Sequence, residues 1–239
     1  MGIKNYRRVL AIDIGGNHVK CRLFARRGMR QLTSGPTLTP RQMVDRVHEL
    51  TEDWVFDAVS MGYPGVVLHG KIVAEPHNLG PGWVGFDFKK AFGRPTHVVN
   101  DAAMQAIGSY EGGRMLFLGL GTGLGSAMIV DGIVAPMELA HLPYKKGRTY
   151  EDYVGDRGMK RLGLKKWRHH VHTVVTQLMG VLEADYVVIG GGNVSRLKRL
   201  PPNTRLGSNE FAFLGGFRMW RDTIDAPRPA KGRHRIVIP

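Results

Sequence analysis

Three glycine-rich turns and a handful of acidic residues hold the chemistry that this chain could perform. The turns are Asp13-Ile-Gly-Gly-Asn17, Gly119-Leu-Gly-Thr-Gly-Leu-Gly125 and Gly190-Gly-Gly-Asn193, and each follows an apolar run. Glycines at a strand end let backbone N–H groups point into one concavity, which is what a phosphate needs. A single such turn reads as a tight hairpin; three of them, the first led by an acid, point to phosphate. The sequence has no Walker A motif and no Rossmann fingerprint with a helix opening at its third glycine, which disfavours both of those nucleotide folds.

Asp13, at the end of the first apolar run, is placed to hold magnesium, usually through water, beside a transferred phosphate; its bland role is to cap the glycine turn. Lys20 would neutralise phosphate charge if a hairpin carries it back beside Asp13, and is otherwise a surface lysine. Asn100-Asp101 follows a second apolar run and opens a helical pattern, where a helix cap would explain it without function. Phosphoryl transfer to an alcohol also needs a carboxylate within hydrogen-bond reach of the hydroxyl, and Asp101 is the candidate general base. Glu138, His141 and Glu151 suit the fixed hydrogen-bond directions of a sugar's hydroxyls. The bland readings are an i,i+3 helical pair for Glu138 and His141, and an acid in the first turn of a helix for Glu151.

Alternating strand and helix patterns would position these residues. Val9–Ile14 and Val19–Ala25 read as a hairpin around the first turn. Met43, Val47, Leu50 and Trp54 recur at helical spacing after Thr39 and Pro40, predicting a helix from Pro40 to about Trp54. Ala58–Met61 and Thr96–Val99 read as strands, separated by a loop-rich stretch with a hairpin, and Asp101–Tyr110 as the next helix. Met115–Leu118, the second glycine turn and Ser126–Asp131 repeat the opening strand, loop, strand unit, which suggests a duplicated two-lobe architecture. Helices are expected at Tyr150–Arg161, Lys165–Glu183 and Asn209 to about Asp225, with a strand at Tyr186–Ile189. The tail APRPAKGRHR reads as mobile, with a short strand from the closing IVIP.

Of 239 residues, 43% are hydrophobic and 23% charged, an ordinary globular balance with no run of the roughly 20 apolar residues that cross a bilayer. Lacking a secretory signal pattern at its start, the chain is expected in the cytoplasm. A single cysteine, Cys21, excludes an internal disulfide framework and a clustered-cysteine zinc site. The net charge of +14 implies attraction to polyanions, although a solvated face is the plain explanation of any one basic run.

The motifs LAIDIGGNHVK, MGYPGVV with EPHNLGPGW, VVNDAAMQAIG, GLGTGLGSAMIVDG, MELAHLPYKKGRTYEDYVG and VVIGGGNV occur in one order from about Val9 to Trp220. In this the chain resembles the ROK sugar kinases of the actin-like ATPase superfamily, and within them the polyphosphate glucokinase branch. The resemblance implies an α/β, ribonuclease H-like fold of two lobes, mixed sheets flanked by helices with a cleft between them, divided here as 1–110 and 111–239. It implies Asp101 as base, and a donor grip by Asp13, Gly15, Gly16, Asn17, Lys20, Gly121, Thr122 and Gly123. Sugar contacts would come from Gly65, Asn78, Asn100, Glu138, His141 and Glu151, and Gly190, Gly191, Gly192 and Asn193 would border a nucleotide's adenosine. Asn17 and His18 depart from the family's usual residues in the first loop. KKGRTYEDYVG stands where most members carry a cysteine-rich zinc segment, so magnesium rather than zinc is expected. The start of the chain leaves no room for the helix-turn-helix domain of the family's repressors.

The expected activity is transfer of a phosphoryl group from polyphosphate, ATP or both to the 6-hydroxyl of glucose, with mannose as a second acceptor, in a homodimer. Lys145, Lys146, Arg148, Lys165, Lys166 and Arg168 form the candidate polyphosphate track. The competing readings are a kinase for another hexose or an amino sugar, and a regulatory or nucleic-acid-associated protein that keeps the fold without activity. Excess basicity supports the last, while sparse aromatic interleaving and the absence of a DNA-binding motif argue against nucleic acid as a partner.

Overall fold

The structure, a computed structural model, describes Tyr6 and residues 8–221, 224–225, 233–234 and 236–238. Val9–Ile14 (β1), buried at every position but Asp13, forms an antiparallel meander with His18–Leu23 (β2), where burial alternates, and Arg30–Thr33 (β3), and Asp13 stands opposite Lys20. Ala58–Tyr63 (β4) is buried along its whole length, as a central parallel strand must be, and lies parallel to β1. A two-residue hairpin, Val67–Leu68 (β5) and Lys71–Ile72 (β6), follows it, and Thr96–Asn100 (β7) pairs parallel to β4. The first sheet therefore runs β3-β2-β1-β4-β7.

The second sheet repeats this plan. Arg114–Leu120 (β8), Leu124–Val130 (β9) and Ile133–Met137 (β10) form an antiparallel meander. A small hairpin, Pro143–Lys145 (β11) and Arg148–Thr149 (β12), comes next. Tyr186–Gly190 (β13) and Thr204–Leu206 (β14) then add in parallel, giving the order β10-β9-β8-β13-β14. The duplication suggested by the two strand, glycine-loop, strand units is thus a repeat of strand order and direction, and the fold is that of the actin-like ATPases.

Pro40–Leu50 (α1) opens with a capping box in which Thr39 and Gln42 satisfy each other's backbone donors, and it buries Met43, Val44 and Val47 under the first sheet. It stops short of the expected Trp54: Thr51 ends the helix, and Trp54 folds back with its N–H on the Thr51 carbonyl. Phe88–Phe92 (α2) packs Phe88 and Phe92 into the same core, and Asp101–Ser109 (α3) crosses between the two sheets. The helix expected at Tyr150–Arg161 is two: Glu151–Val154 (α4) breaks at Gly155, and Asp156–Val181 (α5) follows, itself interrupted at Gly163 by a left-handed φ of 75°. That interruption falls between the two helices that periodicity separates.

Glu210–Arg218 (α6) ends seven residues before the expected Asp225, where 224–225 instead pair with 233–234. Its end is fixed from outside, since the Arg218 guanidinium donates to the carbonyls of Ile107, Gly108 and Tyr110 at the close of α3. Most of the tail read as mobile lies outside the described residues, and the closing strand is a single parallel bridge from Val237 to Ile133.

α3 and α6 touch backbone to backbone. A Cβ on Gly108 would strike the Phe211 carbonyl, and one on Gly215 the Met104 carbonyl. Gly108→Ala or Gly215→Ala should each destabilise the protein by about 2–4 kcal/mol, read as a lower denaturant midpoint, because rigid backbone rather than a flexible side chain must give way.

Candidate active site

Strand register gathers the first half of the site. Asp13 pairs with Gly62 and Tyr63 with Asn100, so the C-terminal ends of β1, β4 and β7 lie side by side. Ligand sites of open parallel sheets form at such ends. Lys20 stands opposite Asp13 in the hairpin, the placement on which its functional reading depended.

Asn100 and Asp101 divide two tasks. The Asn100 side-chain oxygen accepts the Ala102 and Ala103 N–H groups at 2.9 and 3.3 Å, capping α3, while its amide donates to the Gly65 carbonyl at 3.0 Å. Asp101 is therefore not needed as the cap, although its Oδ1 accepts the Ala102 N–H at 2.8 Å. A Cβ on Gly62 would lie 3.4 Å from the Asp101 Cα and 2.8 Å from the Met104 methyl, so the β4 corner packs directly against the start of α3 and a side chain there would have to displace the Met104 methyl.

Burial raises the Asp101 pKa to about 7, helped by the negative charges of Asp13 and, less strongly, Glu138, against the opposing pull of the Ala102 N–H. Burial raises Asp13 as well, and Lys20 partly offsets that rise. Two carboxylates in one desolvated corner thus resist being charged together, with one lysine facing them.

The second glycine loop joins β8 to β9, and its exit comes against α3: a Cβ on Gly125 would sit 3.0 Å from that of Ala102. Its carbonyls are held from behind. The Asp156 N–H, at the start of α5, donates to the carbonyls of Gly121 and Thr122 at 3.1 and 3.3 Å, and Glu151 accepts the Leu124 N–H at 3.3 Å. Glu151 lies so near Gly123 that any Cβ there would collide with its carboxylate.

The third loop is tied to the second. Gly190 pairs with Gly119, and Asn193, buried, donates from its amide to the Gly121 carbonyl at 3.1 Å and to Asp156 at 2.6 Å. Its backbone N–H meets the Leu120 carbonyl at 3.0 Å. Asn193 accordingly braces the second loop; Gly191, with a left-handed φ of 87°, lies against the backbone of Leu120, and Gly192 is exposed.

In the first loop, Gly15 closes its turn by donating to the His18 carbonyl at 2.9 Å, Gly16 lies against the Asn78 side chain, and Asn17 and His18 are exposed. Glu138 is exposed at the end of β10 yet close enough to bear on Asp101. His141 is exposed at the end of the 3-10 turn Leu139–His141 and makes no hydrogen bond among the described residues. The i,i+3 helical pair does not form, because Glu138 precedes that turn with non-helical backbone angles, φ −120° and ψ 61°.

Sequence reasoning missed three supports. Ser34 donates its hydroxyl to the Gly15 carbonyl at 2.6 Å, Asp156 links the second and third loops, and Glu75 accepts the N–H groups of Trp83 and Val84, folding the 75–84 loop that carries Asn78. Ser34-Gly-Pro36 is legible as a turn, but nothing in it says which loop the hydroxyl reaches.

No group of three or more His, Cys, Asp or Glu among the described residues could hold a metal ion by itself. Magnesium fits on other terms, since it keeps several waters and uses one or two carboxylates together with substrate phosphates. Asp13 and Asp101, each raised by burial, form a corner that such a cation would relieve.

The ROK family model matches residues 9–136, more than half of the chain. A polyphosphate glucokinase of Mycobacterium tuberculosis is 26% identical over 215 residues, covering 80% of each protein. The crystal structure of an inorganic polyphosphate/ATP-glucomannokinase from Arthrobacter sp. strain KM superposes with a TM-score of 0.75 at 23% identity, over 89% of this chain and 97% of that one. A ROK family glucokinase from Streptomyces griseus, solved with glucose and AMPPNP, gives 0.69 at 16%, over 89% and 99%. Such distant structures speak for the fold, while the match through both the first glycine loop and the second makes this chain a member of the ROK family.

Proposed function

We propose that this protein is a sugar kinase that transfers a phosphoryl group from polyphosphate or ATP to the 6-hydroxyl of glucose, with mannose as a second acceptor. The observation that carries the reading is the Asp101 carboxylate, raised to about 7 at the start of α3, between the β4 corner and the exit of the second glycine loop. A base with a pKa near working pH is matched to taking a proton from an alcohol. In this reading the two lobes are 1–110 and 111–239; each range contains one five-stranded sheet, and α6 reaches back from the second to pack on β1 of the first.

In this reading Asp101 accepts the proton of the 6-hydroxyl as its oxygen bonds to phosphorus and the donor's bridging P–O bond breaks. Gly16, Asn17, Thr122 and Gly123 offer backbone donors to the phosphates, Gly15 and Gly121 shape the loops through their own N–H bonds to the His18 and Gly123 carbonyls, and Lys20 faces the charge that leaves with the donor. Gly65, Asn78, Asn100, Glu138, His141 and Glu151 line the sugar's side; Gly190, Gly191, Gly192 and Asn193 border the nucleotide. Magnesium, held by Asp13 through water and by donor phosphates, would neutralise charge on the transferred group. The likeness to a polyphosphate glucokinase supports polyphosphate as donor. So does the basic surface: of the ion pairs found among the described residues, none involves Lys145, Lys146, Arg148, Lys165, Lys166 or Arg168. Among the described residues no helix is long and apolar enough to cross a membrane. A cytoplasmic homodimer is part of the same reading.

Asp101→Asn keeps the shape and removes the base, so kcat should fall about 10²- to 10⁴-fold in a coupled glucose 6-phosphate assay while glucose still binds. Stability should move oppositely. Because the folded-state pKa of Asp101 lies above its unfolded value, wild type loses stability as pH rises from about 4 to about 7. The asparagine variant should therefore be the more stable by up to about 4 kcal/mol at pH 8, with the gap closing toward pH 4 in denaturant titrations. Replacing Lys145, Lys146, Arg148, Lys165, Lys166 and Arg168 by alanine should raise the KM for polyphosphate at least tenfold and leave the KM for ATP within about twofold; equal losses would refute the track.

A further inference from the structure

The segment from Glu138 to Glu151 carries three of the proposed sugar contacts, yet it leaves the body of the protein. From His141 to Arg148 every side chain is exposed except that of Tyr144, which is half-buried. The β11–β12 hairpin turns at Lys146-Gly147, both with left-handed φ, and is closed at its base by the Tyr150 N–H on the Leu142 carbonyl at 3.1 Å. A two-stranded hairpin of this length has little stability of its own in water. Its position must come from whatever it rests on.

What it rests on is an aromatic cluster made by Tyr150, Tyr153 of α4 and His170 of α5. The Tyr144 ring meets Tyr150 at 5.2 Å, Tyr153 edge-on at 5.0 Å and His170 edge-on at 5.7 Å, and Tyr153 meets His170 at 4.7 Å. The Tyr144 hydroxyl shares a hydrogen bond of 3.1 Å with His170 Nδ1. Burial and the nearby charges of Lys145, His169 and Arg161 hold the His170 pKa below the usual imidazole value, so the ring is neutral at pH 7. Such edge-on ring pairs are favoured beyond the area they bury, because a positive ring edge meets a negative ring face.

We propose that Tyr144 and His170 are positioning residues for sugar binding: their hydrogen bond and ring contacts pin the hairpin to α5 and so set where His141 and Glu151 stand. Tyr150, in contact with Tyr144, directly precedes Glu151, which accepts the Leu124 N–H at the second glycine loop. Displacing Tyr144 therefore shifts the sugar side of the site, while the Asp13, Asn100 and Asp101 corner, built on β1, β7 and α3, stays in place. The inference rests on the sugar-kinase reading and refines its acceptor side.

The test is calorimetric binding of glucose, without donor, to wild type, Tyr144→Phe, His170→Leu and His170→Asn, with steady-state kinetics on ATP. Tyr144→Phe and His170→Leu should weaken glucose binding about three- to tenfold and raise its KM alike, with kcat and the KM for ATP within about twofold; Tyr144→Phe, which keeps the ring contacts, should also keep its thermal midpoint. His170→Asn, whose amide can occupy the Nδ1 position, should recover most of the affinity. Wild-type glucose affinity in both Tyr144→Phe and His170→Leu would overturn the proposal, as would a loss in Tyr144→Phe that tracks a falling thermal midpoint. Wild type that binds no glucose would instead sink the sugar reading, and this refinement with it.

Discussion

A helix wedged between two sheets sets the position of Asn100 and of Asp101, the proposed base. α3 lies against β4 and β7 on one side and against β8 and β9 on the other, and it can do so because Gly108 and Gly215 let its backbone touch that of α6. Arg218 then closes the C-terminal end of α3, and Ser60, fully buried, binds the Gly216 carbonyl at 2.6 Å and the Trp220 indole at 2.8 Å. With its far end fixed this way, the N-terminus of α3 has little freedom, and that is where Asn100 and Asp101 sit. Dense packing is therefore a positional device here as well as a source of stability.

The same placement creates an electrostatic debt. Taking the Asp13 and Asp101 carboxylates out of water beside each other disfavours charge on both, and Lys20 is the single cation that the β1–β2 register sets against Asp13. In the proposed reading a cation arriving with the donor's phosphates would relieve this poise. The glycine loops answer from the opposite sheet, with their carbonyls drawn back by Asp156 and Asn193.

Much of this was legible before any coordinates. The repeated strand, glycine-loop, strand unit foretold two sheets of the same plan, and Thr39-Pro40 marked the start of α1 correctly because capping chemistry is local. What stayed hidden depends on distant partners. β3, β10 and β14 are short strands whose pairing, not their own pattern, defines them. α6 stops where Arg218 is drawn to the end of α3, a contact more than a hundred residues away in sequence. Asn193 reads as a nucleotide-side residue by its motif, yet its side chain is spent on bracing Gly121 and Asp156. Asp101 could be singled out by residue type, but its raised pKa arises from burial in the assembled corner, with the Asp13 charge that β1 brings alongside adding to it.

The central claim is that a desolvated pair of carboxylates, Asp13 and Asp101, readies an alcohol for phosphorylation. Carbon-13 NMR titration of the carboxyl groups, in wild type and in Asp13→Asn, tests it most directly. The account predicts that Asp101 titrates near pH 7 and moves lower when the Asp13 charge is removed. A midpoint near the ordinary carboxylate value of about 4, unchanged in the variant, would contradict it.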